Sequence, residues 1–241
     1  MKQTNTLITG ADKGIGFETA KELGQRGQHI LLGARNAQRG QAAIEKLRAA
    51  GVAADLILLD VTDQTTIDQA AQTIQDRWGY LTVLINNAGV ALDHHEAPEK
   101  MPMAVIRADF DVNFFGAVAV AQAMIPLLRQ GQPAKIINVS SNMGSLGLAS
   151  DPKSRFYQAN SLGYQSSKAA LNMATISLSK ALAPEITVNA VNPGYTATEF
   201  GGSWAGEQTV VEGAAKIVDL ARDEAPRVTG QFVETAGQLP W

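Results

Sequence analysis

The sequence predicts an α/β fold: a doubly wound, mostly parallel sheet of about seven strands with helices on both faces. Three observations predict it. Strand-like and helix-like runs alternate along the whole chain. The first strand runs into a glycine-rich turn, Gly10-Ala11-Asp12-Lys13-Gly14-Ile15-Gly16, and then into a helical pattern. Further glycine-rich or polar pieces follow the ends of other expected strands. At 241 residues, with no repeat and no linker-like stretch, the chain is expected to form one domain over 1–241.

Residues 6–9 read as a short buried strand, and Ile15, Thr19, Ala20 and Leu23 then recur at helical spacing. Residues 29–33 are the second expected strand. Asn36 is suited to cap a helix with Ala43, Ile44, Leu47 and Ala50 on its apolar face, and Gly51 ends it. The third strand, 55–59, precedes a helix that presents Ile67, Ala71, Ile74 and Trp78 and stops at Gly79. After a fourth strand at 83–85 comes a long helical region, about 105–129, which Pro126 is expected to kink or restart. A fifth strand spans 135–140, a long helix 162–182 stops before Pro184, and a sixth strand spans 186–192. Val210, Ala214, Ile217, Val218 and Ala221 mark the last helix, and 230–235 a seventh strand.

Composition narrows the function. Apolar residues are 45% and charged residues 18%, which is a globular balance and not a disordered one. A net charge of −3 with no basic run gives no electrostatic footprint for nucleic acid. The absence of cysteine excludes disulfides and thiolate metal sites and fits a reducing compartment. The N-terminus carries no signal-like apolar run, and the most apolar stretch, 114–128, contains Gln122 and Pro126 and is short for a bilayer span. A cytoplasmic protein with no membrane partner is expected. His94 and His95 lie in a polar loop and form no metal site.

The glycine turn suits phosphate. Glycines let backbone approach a ligand, and the free N–H groups of a helix N-terminus favour an anion. A plain strand–helix turn is the alternative reading. Placement favours the first: Asp60, the run Asn86-Asn87-Ala88-Gly89, Ser140-Ser141 and Asn192-Pro193-Gly194 all end expected strands, on the rim where such sheets bind ligands. Tyr164 and Lys168 stand four residues apart at the start of a helix and share a face. A phenol titrates near about 10, and a neighbouring ammonium lowers it, so the pair suits proton transfer in carbonyl–alcohol interconversion. An isolated tyrosine and lysine at this spacing are more commonly surface residues.

Taken in order, Thr9 to Gly16, Asn86 to Gly89, Asn113, Ser141, Tyr164, Lys168 and Pro193-Gly194 resemble the short-chain dehydrogenase/reductase family along essentially the whole chain, with its Rossmann-like sheet. The resemblance implies a nicotinamide cofactor, read below as NADP(H), and a Ser–Tyr–Lys site. Tyr164 would donate the proton in reduction and remove it in oxidation. Lys168 would lower the Tyr164 pKa and bind the nicotinamide ribose. Ser141, preferred to Ser140 because it precedes Gly144 by three residues, would hold the substrate oxygen. Asn113 would hold a water leading from Lys168; otherwise it is a helix polar group bonded to backbone. Cofactor contacts would come from Gly10, Lys13, Gly14, Ile15 and Gly16; from Asp60, near the adenine unless it is a strand-end cap; and from Asn87, Ala88 and Gly89, largely through backbone. Pro193, Gly194, Thr196 and Thr198 would surround the nicotinamide, with Thr196 acting through backbone, and Asn86 is more structural. Arg35 follows strand two, where no carboxylate stands, and with Lys13 it suits the 2′-phosphate of NADP(H); two solvated surface cations are the alternative.

The expected substrate is a small-molecule carbonyl or alcohol. Met143, Leu146, Phe156, Tyr157, Tyr195 and Trp204 are pocket candidates, with packing as the alternative. The 23 residues from Ser141 to Tyr164 are a longer spacing than in many members, similar to carbonyl-reductase-like ones. The extra segment, 148–161, is expected at the substrate entrance. It leaves a homo-oligomer possible and its form open. A quinone or other activated-carbonyl reductase and a non-enzymatic NADP(H) sensor are the competing readings; the intact Asn113, Ser141, Tyr164 and Lys168 argue against the sensor.

Overall fold

The computed structural model describes residues 2–94, 96–200, 206–222, 224–225 and 227–241. One eight-stranded sheet runs in the order β3-β2-β1-β4-β5-β6-β7-β8. Its strands are β1 (Asn5–Ile8), β2 (His29–Ala34), β3 (Ala54–Leu58), β4 (Val83–Asn86), β5 (Ala134–Val139), β6 (Ile186–Val191), β7 (Phe232–Glu234) and β8 (Gly237–Gln238). All neighbours pair in parallel except β7 with β8. β8 was not expected. It is two residues long, with no apolar alternation to announce it, and pairs only because the chain turns back on Val233 and Glu234.

Both sheet faces are buried, so the strands read as continuous apolar runs. Successive side chains still alternate. Leu7 and Leu31 join Val120, Met124 and Leu128 on one face. Ile8, Ile30 and Leu32 join Leu23, Ile44 and Ile217 on the other. The second face carries α1 (Gly14–Gln25), α2 (Ala37–Ala49) and α8 (Val210–Ala221). The first carries α3 (Gln64–Arg77), α5 (Ala117–Gln130) and the end of α7 (Leu162–Leu182). Asn36 caps α2 as expected, accepting from Arg39 N at 2.8 Å.

The long helical region differs from its expectation. It begins with α4 (Met103–Phe110), passes through a π-helical turn over Asp111–Gly116, and continues into α5. Pro126 neither ends nor restarts α5. Met124, Leu127 and Leu128 are buried around it, and that burial outweighs one missing hydrogen bond. The whole stretch Met103–Gln130 is long and apolar enough to cross a membrane by length and composition, contrary to the expectation from 114–128. Here it packs on α3, on α7 and on the sheet.

The crevice that positions the site opens where the chain order reverses, between β1 and β4. Behind it, Asn86 ties the sheet together. Its amide donates to Asn138 Oδ1 at 2.9 Å and to Ala117 O at 3.2 Å, and Asn138 donates to Thr175 Oγ1 at 2.8 Å. Replacing Asn138 with Ala removes two of these bonds in a dry interior. We expect Asn138→Ala to lower stability by about 2 kcal/mol, read as a lower urea midpoint; an unchanged midpoint would refute the structural role of this network.

Candidate active site

The glycine turn after β1 folds as a cradle. Gly10 and Gly14 adopt φ of +60° and +58°, and a Cβ on Gly10 would sit 3.0 Å from Ala88 Cα. Gly16 is packed against Asn87, whose Nδ2 would lie 2.4 Å from an added Cβ. That amide donates to Thr9 O and Gly10 O at 2.9 and 3.1 Å, while Thr9 Oγ1 accepts from Asn87 N and Ala88 N at 3.0 and 2.9 Å. The N–H groups of Asn87 and Ala88 are thus committed to the turn itself, and their carbonyls remain for a ligand. At the start of α1, which includes Ile15, no side chain caps the helix and the first turn has no acidic residue. Its first N–H groups face the cradle, which suits an anion.

Around the cradle stand three cations. Arg35 is exposed and close enough to Asp60 to hold that carboxyl down. Burial works to raise Asp60, but hydrogen bonds from Thr62 N and Thr62 Oγ1, with Arg35, outweigh it. Asp60 is therefore engaged in a strand-end turn as well as facing the rim. Lys13 meets Glu199 at 2.6 Å, with both side chains about half exposed. Arg39, which sequence reasoning missed, reaches Asp12 at 3.0 Å. Its place one helical turn after Asn36 was the available signal.

Opposite the cradle, α7 brings Tyr164 and Lys168 to the same crevice. Lys168 is 4% exposed, and its Nζ donates to Val139 O at 2.8 Å. The ammonium stands 5.8 Å from the Tyr164 ring centroid. Ser141 hydrogen-bonds the Tyr164 phenol, whereas Ser140 donates to Asn172 Oδ1 at 2.6 Å. Ser141 is thus the serine that faces the tyrosine. Gly89 lies close to Asn113, whose Oδ1 would be 3.2 Å from an added Cβ, with Lys168 Nζ beyond it at 3.5 Å.

The electrostatics differ from expectation. Lys168 was expected to lower the Tyr164 pKa. Instead burial pushes the phenol up to about 12; the Ser141 bond lowers it, and Asp109 and Asp93 raise it further. Burial also pulls Lys168 down to about 8, with Asp109 acting against it. A desolvated ammonium bonded to a carbonyl is a poor partner for a phenolate some way off.

Asn113 lies in the π-helical turn, where such irregularity is common at functional sites. Its Oδ1 accepts from Val90 N at 2.9 Å; its Nδ2 donates to Val90 O at 2.8 Å and Ser167 Oγ at 3.0 Å. Both amide protons are bonded, so the side chain clamps α7 to the loop after β4. Thr196 turns back on its own loop, bonded to Pro193 O, Gly194 O and Gln208 Nε2. Thr198 faces Gly14, its Cγ2 3.6 Å from where a Cβ would stand.

Of the pocket candidates, Leu146, Tyr157 and Tyr195 are exposed, Met143 and Phe156 partly buried, and Trp204 lies outside the described residues, as does His95. The segment 148–161 begins in a short helix, α6 (Leu146–Ser150). It ends at Ser161, which donates to Asp93. Phe200, unforeseen, packs edge-on to Tyr164 with centroids 5.7 Å apart. Among the described residues no cluster suits a metal ion.

The model of the family described as short chain dehydrogenase matches residues 4–209. A Penicillium roqueforti protein named short-chain dehydrogenase anuI is 34% identical over 97% of this chain and 94% of its own length. Salutaridine reductase of Papaver bracteatum is 31% identical over 91% and 90%. Among solved structures, NADPH-bound carbonyl reductase from chicken fatty liver superposes with a TM-score of 0.86 at 26% identity, covering 100% of both chains. A Burkholderia cenocepacia gluconate 5-dehydrogenase in complex with NADP and tartrate gives 0.83 at 25% identity, over 98% and 94%.

The buried phenol has a direct consequence for the free protein. In an alkaline absorbance titration of its four tyrosines, Tyr164→Phe should leave the curve unchanged below about pH 11. Loss of a component titrating at or below about pH 10 would contradict the desolvation of Tyr164.

Proposed function

The chain belongs to the short-chain dehydrogenase family, and from that premise we propose that it is an NADP(H)-dependent reductase that interconverts a carbonyl and an alcohol on a small to medium apolar substrate. One observation carries the reading: Ser141, just after β5, and Tyr164 and Lys168, from α7, converge beside the glycine cradle, with Ser141 bonded to the phenol. The cradle fits a dinucleotide. Its left-handed glycines and uncapped helix start suit a pyrophosphate, and a side chain at Gly10 or Gly16 would collide with Ala88 or with Asn87 and distort the turn. The relatives bound to NADPH or NADP support the choice of cofactor.

The bound cofactor would supply the hydride. Tyr164 supplies the proton. As a phenol it is protonated at neutral pH, as a donor to a carbonyl oxygen must be. Ser141 orients that oxygen and stabilises the charge that develops on it. Lys168 stands behind the pair, fixed by Val139 O, where it holds the ribose. Arg35, with Lys13 and Arg39, takes the 2′-phosphate; arginine's planar fork suits that group. Phe200 and the segment 148–161 shape the side from which substrate enters.

Two outcomes test this reading. With NADPH and a panel of aldehydes and ketones, Tyr164→Phe should lower kcat by about a thousandfold and leave the NADPH Kd nearly unchanged. Near wild-type turnover would remove Tyr164 from the mechanism. Separately, Arg35→Ala should raise the KM for NADPH much more than that for NADH, and added salt should weaken NADPH binding more because the contact is exposed. Equal kcat/KM of the wild type with the two cofactors would defeat the NADP(H) assignment.

A further inference from the structure

Two buried carboxylates sit beside Tyr164 without belonging to the Ser–Tyr–Lys set. Asp93 is 4% exposed and Asp109 is 0% exposed. Asp93 lies in the loop after β4 and acts as a cap supplied from a distance. Its oxygens accept from Ser161 Oγ at 2.7 and 2.6 Å, and Oδ2 also accepts from Tyr164 N at 3.1 Å. The α7 start has no side-chain cap of its own. Asp93 therefore fixes the turn from which Tyr164 projects.

Asp109 comes from α4. Its Oδ1 accepts from Leu92 N at 3.0 Å, one residue before Asp93. Its Oδ2 is buried with no hydrogen-bond partner among the described residues. It is aimed at Gly163, where an added Cβ would lie only 2.4 Å from Oδ2. Glycine at 163 is what lets a carboxylate close on the first turn of α7, one residue before Tyr164. The loop, α4 and α7 are thus joined by two acids at one point.

We propose that Asp93 and Asp109 are positioning residues for Tyr164: Asp93 anchors the turn that carries it, and Asp109 closes on that turn at Gly163, setting a buried carboxylate one residue from the tyrosine. The proposal rests on the reading of Tyr164 as proton donor. Both acids raise the phenol's pKa, so their charge is felt at the tyrosine. Asp109 itself is raised to about 6, chiefly by burial and further by Asp93, against the Leu92 bond and the charges of His94 and Lys168. Below that pH it is neutral, and its influence on Tyr164 is switched off. The charged groups that face it are Asp93 and His94 from the loop and Lys168 from α7.

The test needs no cofactor. Tyrosine Cζ is labelled with carbon-13, and the Tyr164 signal is assigned by its loss in Tyr164→Phe. In the wild type that signal should move with a midpoint near about 6 as Asp109 ionises. In Asp109→Asn it should stay flat. Asp93→Asn, which keeps an acceptor for Ser161, should move the midpoint to lower pH, and it serves if Asp109→Asn does not fold. Histidines titrate in this range, so the midpoint must survive in His94→Gln. A flat wild-type signal, an unchanged midpoint in Asp109→Asn or Asp93→Asn, or loss of the midpoint in His94→Gln would each overturn the proposal. In turnover, Asp109→Asn should shift the alkaline limb of carbonyl reduction down by about one pH unit, with KM unchanged. A wild type that reduces no carbonyl would refute the functional reading, while the carbon-13 signal would still decide the role of the acids.

Discussion

An ammonium held out of water costs several kcal/mol unless the protein replaces its hydration. Lys168 sits under that constraint, and much of the surrounding structure follows from it. Its Nζ has the Val139 carbonyl, at the end of β5 and two residues before Ser141. Its backbone is packed so tightly against Gly144 that a Cβ there would come within 2.7 Å of Lys168 Cβ. Asp109 supplies a distant opposite charge. One glycine, one strand end and one buried acid are therefore fixed in relation to a single side chain, and Tyr164 is placed one helical turn before it.

The rest of α7 is held by polar contacts where an apolar stripe would be usual. Ser167, Asn172 and Thr175 are all buried. Ser167 accepts from Asn113, Asn172 accepts from Ser140 and donates to Gly144 O, and Thr175 accepts from Asn138. Apolar packing is non-directional and tolerates a small slide of a helix along a sheet. A row of directional bonds to β5 and the loops around it does not. The register that this row imposes is what brings the phenol to the Ser141 hydroxyl. Burial of so much polar surface is tolerable because nearly every group in the row is paired.

Where a signal is periodic or local, the sequence reveals it. The alternation of strands and helices, the Asn36 cap and the glycine turn depend on residues near one another in the chain, and the structure has them. The eighth strand, the passage of α5 through Pro126 and the π-helical turn at Asn113 depend on tertiary packing, which no local pattern records. The same division runs through the site. Spacing alone puts Tyr164 and Lys168 on one face of a helix. It is silent on solvation, and solvation reverses the expected direction of the Tyr164 shift. Asp93 and Asp109 carry no motif; only the approach of α4 and the loop after β4 to Gly163 makes them neighbours of the tyrosine. Phe200 reaches it from the far end of another loop.

Charge on the rim of the cradle is balanced within the protein. Lys13 faces Glu199, Arg39 faces Asp12, and Arg35 lies within reach of Asp60. The Lys13 and Arg39 pairs have exposed cations, and exposed pairs contribute at most about 1 kcal/mol each. A phosphate dianion, with more charge and more acceptor oxygens than a carboxylate, exchanges with such partners at little cost. Glu199 also belongs to the same loop as Thr198 and Phe200, which face Gly14 and Tyr164. The Lys13–Glu199 pair therefore ties the cradle to the loop whose Phe200 packs on Tyr164.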